Sequence, residues 1–245
     1  ANVQYFSLEM PYDQCVRRTM ARLSGISTYG LRDCQITDEA QLKSLSKAAT
    51  FCQKFPYEFE VVDIPRGVTV RTIEERYLEA VANGRAPDVV VIDYLGLMEV
   101  EGHLGIDDWL KLGHIAGQLH EFSRTYNVIV LTAVQLNRPK GKGPDEIIGL
   151  HRIGRSSLIM HHATVGIQIE TRVDEETFDD MPYHIIKNRN GERGNHLLKK
   201  NFRSATVIDR EPYVPIQDDG VGSFANVTLK MEDISAQLDD HGWNK

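Results

Sequence analysis

Two short aliphatic runs, Asp88–Asp93 (DVVVID) and Val128–Val134 (VIVLTAV), limit what this chain can fold into more than any other feature. Continuous β-branched runs of this length, bounded by polar residues, are the pattern of strands buried on both faces of a parallel sheet. Parallel strands cannot be joined by a tight turn, so each pair needs a crossover, usually a helix. The required helix is visible between the runs, where Leu112, Ile115, Leu119 and Phe122 recur at helical spacing. Upstream the alternation continues. Asn2–Phe6 and Tyr57–Ile64 read as strands. Pro11 opens a helix with Val16, Met20 and Leu23 on one face, and Asp38 with Gln41 caps another carrying Leu42, Leu45 and Ala49. Val70, Ile73, Tyr77 and Val81 mark a third. This order predicts an α/β fold built on a doubly wound, mostly parallel sheet.

Beyond Asn137 the character changes, because Pro139, Gly141, Gly143 and Pro144 interrupt any regular element. Val165–Thr171 resumes as a strand. Tyr183–Lys187 and His196–Lys199 then flank a turn containing Asn190-Gly191, which predicts a C-terminal β-hairpin. Lys199 and Lys200 on its second strand serve as controls for charge contacts elsewhere only if they face outward. The expected division is one domain over 1–209 and an acidic tail over 210–245. Of the net charge of −7, most sits in 209–245, where eight acids face only Arg210, Lys230 and Lys245. The body is therefore nearly neutral, and an overall acidic balance does not by itself exclude a polyanionic partner.

At 245 residues, 41% hydrophobic and 26% charged, the chain can bury a full core. No apolar run approaches the roughly 20 residues needed to span a bilayer. The start lacks a basic region followed by an apolar stretch, so no signal peptide is read, and it resembles the middle of a longer chain. Cys15, Cys34 and Cys52 are odd in number and far apart, which points to a reducing, cytoplasmic compartment. His161 and His162 are adjacent and have no Cys or carboxylate cluster beside them, so they do not read as a metal site.

Open α/β sheets place ligands at the carboxyl ends of their strands. Three polar residues fall there: Glu9 after the first strand, Asp93 at the end of the first aliphatic run, and Gln135 after the second. A nucleotide-hydrolysing motor needs these types: one carboxylate to help hold Mg²⁺, one to polarise the attacking water, and an amide to sense the terminal phosphate. Taken singly, Glu9 and Gln135 read as solvated loop residues and Asp93 as a common end to an aliphatic strand.

The words around these positions are more specific. Phe6-Ser7-Leu8-Glu9-Met10, Ile92-Asp93-Tyr94-Leu95-Gly96-Leu97-Met98, Gln135-Leu136-Asn137-Arg138 and Lys187-Asn188-Arg189-Asn190-Gly191 resemble, in order, four motifs of the DnaB-type hexameric replicative DNA helicases. The likeness runs from the first residue to near Phe202. It implies a RecA-like ATPase domain, ATP and Mg²⁺ as cofactors, single-stranded DNA as track, a hexameric ring, and a primase or helicase loader as partner. The family's direction of travel is 5′ to 3′. It further implies Glu9 as catalytic base, Asp93 as the Mg²⁺ carboxylate, Gln135 as the link between phosphate state and DNA, and Lys187 with Arg189 as a basic pair acting on a neighbour's nucleotide. Residues i and i+2 of a strand share a face, so both cations can project together. Without the resemblance the pair would read as solvated surface.

The segment 138–157 is the counterpart of the family's DNA-contact loop and carries Arg138, Lys140, Lys142, Arg152 and Arg155, a basic excess suited to phosphates. A glycine-rich basic loop is also compatible with plain solvation. Departures are concentrated nearby: Met160, His162 and Thr164 occupy positions that are acidic in the family. The divergence suggests a phage-encoded member. No Gly-x-x-x-x-Gly-Lys-Ser/Thr occurs in the chain, so the Walker A loop that cradles phosphates is missing. Two explanations stand: the chain is a fragment of a longer helicase whose loop precedes it, which the retained motifs favour, or it is a relative that has lost hydrolysis. Alternatives are therefore a RecA- or KaiC-like ATPase without helicase action and a non-hydrolysing module that docks on a helicase or DNA.

Overall fold

The computed structural model describes residues 1–36, 38–102, 108–135, 157–169 and 179–209. The first half is a parallel sheet of four strands, β1 (Val3–Ser7), β2 (Phe59–Asp63), β3 (Val89–Asp93) and β4 (Ile129–Thr132), in the order β2-β1-β3-β4. All neighbours pair in parallel, with Ser7 opposite both Asp63 and Asp93 and Ile92 opposite Thr132. The helices α1 (Tyr12–Ser24), α2 (Thr28–Arg32), α3 (Glu39–Lys54), α4 (Val70–Ala82) and α5 (Asp108–Tyr126) fall between these strands. This is the expected α/β alternation of strand and crossover.

One sheet face carries the core. Phe6, Val90 and Ile92 point to α4 and α5, which contribute Ile73, Tyr77, Ile115, Leu119 and Phe122. The Tyr77, Phe122 and Tyr126 rings stack within it at centroid distances of 5.0 to 5.4 Å. The periodicity of α4 and α5 is thus the periodicity of contact, except that Val81 faces solvent where Ala80 is buried. Thr69 caps α4 by accepting from the Thr72 N–H, and the Thr72 hydroxyl accepts in return from the Thr69 N–H.

Several expectations are corrected. Neither aliphatic run is buried on both faces: Val89 and Val91 are half-buried, and in β4 Ile129 and Leu131 are 59% and 53% exposed. The reason is that β4 is an edge of its sheet among the described residues, while α1 packs on α2, α3 and β2. On α1 the buried residues are Cys15 and Ala21, with Val16 and Leu23 outward, and Pro11 is the N-cap. Asp38 caps α3 by accepting from Ala40 N–H, but Ala48 is its buried residue, and Leu42 and Ala49 are exposed.

The C-terminal hairpin is part of a larger unit. After α6 (Ser157–His162), β5 (Val165–Ile169), β6 (Asp180–Asn188), β7 (Gly194–Asn201) and β8 (Thr206–Asp209) form an antiparallel sheet in sequential order. Among the described residues it is not hydrogen-bonded to the first sheet. The halves meet at α6, which packs on α5 and places Ile159 in the main core, and at the Thr28 N–H, which donates to the Arg203 carbonyl at 2.8 Å. Along β7 alternate residues face opposite ways, so Lys199 is exposed but Lys200 is only 3% exposed, its Nζ 5.3 Å from the Phe202 ring centroid. Lys200 therefore does not meet the condition for an outward control, and Lys199 does.

Candidate functional site

Parallel pairing without offset brings the carboxyl ends of β1, β2, β3 and β4 to one edge. Ser7, Asp63 and Asp93 stand in a row across it. The Leu8 N–H donates to the Asp93 carbonyl at 3.0 Å, so Glu9 follows β1 two residues past the row. The Leu95 N–H donates to the Ala133 carbonyl at 3.0 Å, which places Gln135 two residues past it on the β4 side. Three of the residues singled out in the sequence thus share one edge. Glu9 and Gln135 are exposed there and Asp93 is half-buried.

Asp93 is the most constrained of the three. The Tyr5 hydroxyl donates to its Oδ2 at 2.5 Å. Burial first, and then the bond to Asp93 and its negative charge, hold the Tyr5 phenol well above the ordinary tyrosine range, so Tyr5 is a fixed donor. A carboxylate oriented by a neighbouring donor is what a metal-binding carboxylate requires of its surroundings. Tyr5 escaped the sequence reading because its relation to Asp93 depends on register: it lies two residues before Ser7, which pairs with Asp93, on the adjacent strand.

The other groups on the edge are already committed. Asp63 accepts from the Tyr12 N–H at 2.9 Å, stabilising the positive end of α1. Ser7 Oγ donates to the Met10 carbonyl at 2.5 Å, and Cys15 Sγ donates to Ser7 Oγ at 3.4 Å. Asp93, held by Tyr5, and Glu9, exposed, remain as the carboxylates of the edge able to face a ligand-borne cation. Mg²⁺ takes few protein ligands when phosphates and water fill its octahedron, so a single oriented carboxylate fits it. No group of three or more His, Cys, Asp or Glu able to hold a metal occurs among the described residues.

Lys187 and Arg189 lie elsewhere. Lys187 is on β6 but Arg189 lies one residue past its end, so the expected shared strand face is not formed, and both side chains turn to the end of α6. Lys187 Nζ donates to the Met160 carbonyl and, at 3.2 Å, to that of His161, and Arg189 Nη2 donates to the His161 carbonyl at 2.6 Å. Burial, with Arg189 adding to it, lowers the Lys187 ammonium pKa. His162 is lowered chiefly by burial, then by His161, His120 and Arg189. Among the described residues, no hydrogen bond or ion pair joins either cation to Glu9, Asp93 or Gln135. The candidate DNA-contact residues Arg138, Lys140, Lys142, Arg152 and Arg155, and the tail 210–245, lie outside the described residues.

Known proteins resemble this chain in sequence and in fold. The family model of the DnaB-like helicase C-terminal domain matches residues 1–206. The replicative DNA helicase DnaB of Mycoplasma genitalium is 27% identical over 226 residues, 89% of this chain and 47% of that protein. The DnaB of Pasteurella multocida is 26% identical over 136 residues, 56% of this chain and 28% of its own length. The chain thus spans about half the length, or less, of these relatives. Among solved structures, an isolated ATPase domain superposes with a TM-score of 0.75 at 19% identity, covering 86% of this chain and 75% of that one. A DnaB-like replicative helicase described with its primase interactions gives the same score and identity, over 86% and 52%.

Proposed function

Because the chain belongs to the DnaB-like helicase C-terminal domain family, we propose that residues 1–209 form the ATP-hydrolysing motor that drives a replicative helicase along single-stranded DNA. The observation that carries this reading is the single edge shared by Glu9, Asp93 and Gln135, with Asp93 oriented by Tyr5. Glu9 polarises the attacking water, and Gln135 reports the state of the terminal phosphate to the segment that follows it. Asp93, its Oδ2 held by Tyr5, keeps its other oxygen for Mg²⁺ or a water bound to it. Bound there with ATP, Mg²⁺ neutralises charge building on the phosphates.

Lys187 and Arg189 act in trans. No described contact ties them to this chain's own edge residues, and arginine supplied by a neighbour stabilises charge developing on the transferred phosphoryl group. Such a composite site implies a head-to-tail contact, and the contact closes into a ring when its rotation permits. The hexamer, the basic segment 138–157 as DNA track, and a primase or loader as partner complete the proposal. The primase is favoured by the relative described together with one. We place the phosphate-binding loop in residues outside these 245. Among the described residues β4 and β5 each have an open edge and carry exposed apolar residues, Ile129 and Leu131 on one, Val165, Ile167 and Ile169 on the other.

No described helix is long and apolar enough to cross a membrane, and a cytoplasmic replication role fits the reading. The test is DNA-stimulated ATP turnover and unwinding by the full-length protein, with Asp93→Asn as the comparison. Turnover abolished by Asp93→Asn while ATP still binds supports the motor. A full-length protein that binds DNA or helicase but never hydrolyses ATP would instead establish the non-hydrolysing docking module.

A further inference from the structure

Helix α6 sits closer to α5 than any residue larger than glycine would allow. A Cβ on Gly113 would lie 2.7 Å from Leu158 Cβ and 2.9 Å from its Cδ1. One turn along α5, a Cβ on Gly117 would lie 3.3 Å from the His162 ring. From the other side, the Met160 side chain lies over Gly166 of β5. A helix end carries carbonyls without partners inside the helix, and it attracts cations. In α6 the Ile159 carbonyl accepts from the Ala163 N–H at 3.1 Å, while those of Met160 and His161 accept from Lys187 and Arg189. The two cations are held by backbone atoms, and the position of those atoms is set by where α6 rests on α5.

We propose that Gly113 and Gly117 are positioning residues for Lys187 and Arg189: by seating α6 against α5 they fix the carbonyls from which the basic pair is presented. The idea rests on the reading of that pair as acting in trans. Two physical consequences follow. Displacing α6 should release the Lys187 ammonium from the half-buried place beside Arg189 in which its pKa is lowered. It should also misplace the pair relative to a neighbouring nucleotide, and a displacement of about 1 Å at a reacting centre costs on the order of 10²-fold in rate.

The experiment uses the full-length protein with Gly113→Ala, Leu158→Gly and the double variant. Lys187 is titrated by the pH dependence of its acetylation, read by mass spectrometry, and ATP turnover is measured on the same samples. In Gly113→Ala the Lys187 midpoint should move up toward the ordinary 10.5. The kcat should fall by about 10²-fold with KM for ATP changed by less than about twofold, since ground-state binding is not involved. Leu158→Gly removes the clashing atoms, so the double variant should recover both readouts. Should Gly113→Ala not fold, Gly117→Ala meets only the edge of a movable ring and should shift both in the same direction by less. An unmoved midpoint in a folded variant, or a folded double variant that recovers neither, overturns the seat. A moved midpoint with unchanged kcat keeps the seat and overturns the trans role of the pair.

Discussion

Replacing Arg189 by alanine separates a catalytic role from a structural one, because the structure sets a low ceiling on what the change can cost the fold. The side chain is exposed and, among the described residues, its guanidinium makes one hydrogen bond, to the His161 carbonyl. An exposed bond of this kind contributes about 0.5 to 1.5 kcal/mol, and surface substitutions usually stay within about 0.5. An arginine acting on a neighbour's phosphate contributes about 10³ to 10⁵ in turnover. That equals about 4 to 7 kcal/mol of barrier, several times anything the fold can lose. The assay mixes two inactive proteins. Asp93→Asn removes the carboxylate charge but leaves Tyr5 an oxygen to donate to, so it too should fold. In a ring where each site combines Asp93 of one subunit with Arg189 of the next, random mixing leaves about one site in four intact. Mixed rings should recover up to about a quarter of wild-type turnover where neither parent shows any. Two results would refute the reasoning: no recovery in rings shown by native mass spectrometry to hold both variants, or an Arg189→Ala loss under tenfold.

Tyr5→Phe removes the donor that orients Asp93 and should lower stability by about 1 to 2 kcal/mol, near the lower end for a bond to a charged group, as read by the urea midpoint. In the full-length protein the same change should raise the Mg²⁺ concentration needed for half-maximal turnover. Since the folded phenol titrates above its ordinary 10.0, the stabilisation is complete below that value and is lost as pH rises beyond it, so wild type should weaken faster than Tyr5→Phe in thermal melts taken above pH 10. His162 has the opposite sign for a base. Its folded pKa lies below 6.5, so stability is unaffected above that value and falls as pH drops through it, and His162→Asn should flatten the decline between about pH 7 and 5. For the track, replacing Lys140, Lys142 and Arg152 together by alanine should flatten the slope of log affinity against log salt for single-stranded DNA by up to about 2 units, at about 0.7 per phosphate contact. The exposed Lys199→Ala is the control, and an equal slope change there, or none in the triple variant, moves the DNA path away from 138–157.

Strands and their ends were legible because their signals are local. Val90 and Ile92 enter the core as their run predicts, and Asp93 must then end β3 at the carboxyl edge, with Glu9 and Gln135 beside it through parallel pairing alone. Burial was less legible, because it depends on what covers a face. Ile129 and Leu131 form an apolar run in an edge strand, and Val16 and Leu23 keep helical spacing yet remain 37% and 40% exposed. Tyr5 and Asp93 are 88 residues apart, and only the register of two strands brings them within 2.5 Å.

The basic pair shows a different limit of reading side chains in order. Met160, His162 and Thr164 were the departures that weakened the likeness around α6, since each replaces an acid of the resembled pattern. In the structure the atoms that receive Lys187 and Arg189 are the carbonyls of Met160 and His161, which every residue type carries. A backbone acceptor survives substitution of its own side chain as long as the helix keeps its place. What must be preserved is whatever sets that place, and here it is the absence of a side chain at Gly113 and Gly117 on another helix. The motif can therefore drift at α6 while the geometry it serves is kept by two glycines far from it in sequence. Substituting Met160 by residues of similar size should leave turnover nearly unchanged, whereas a single methyl at Gly113 should not.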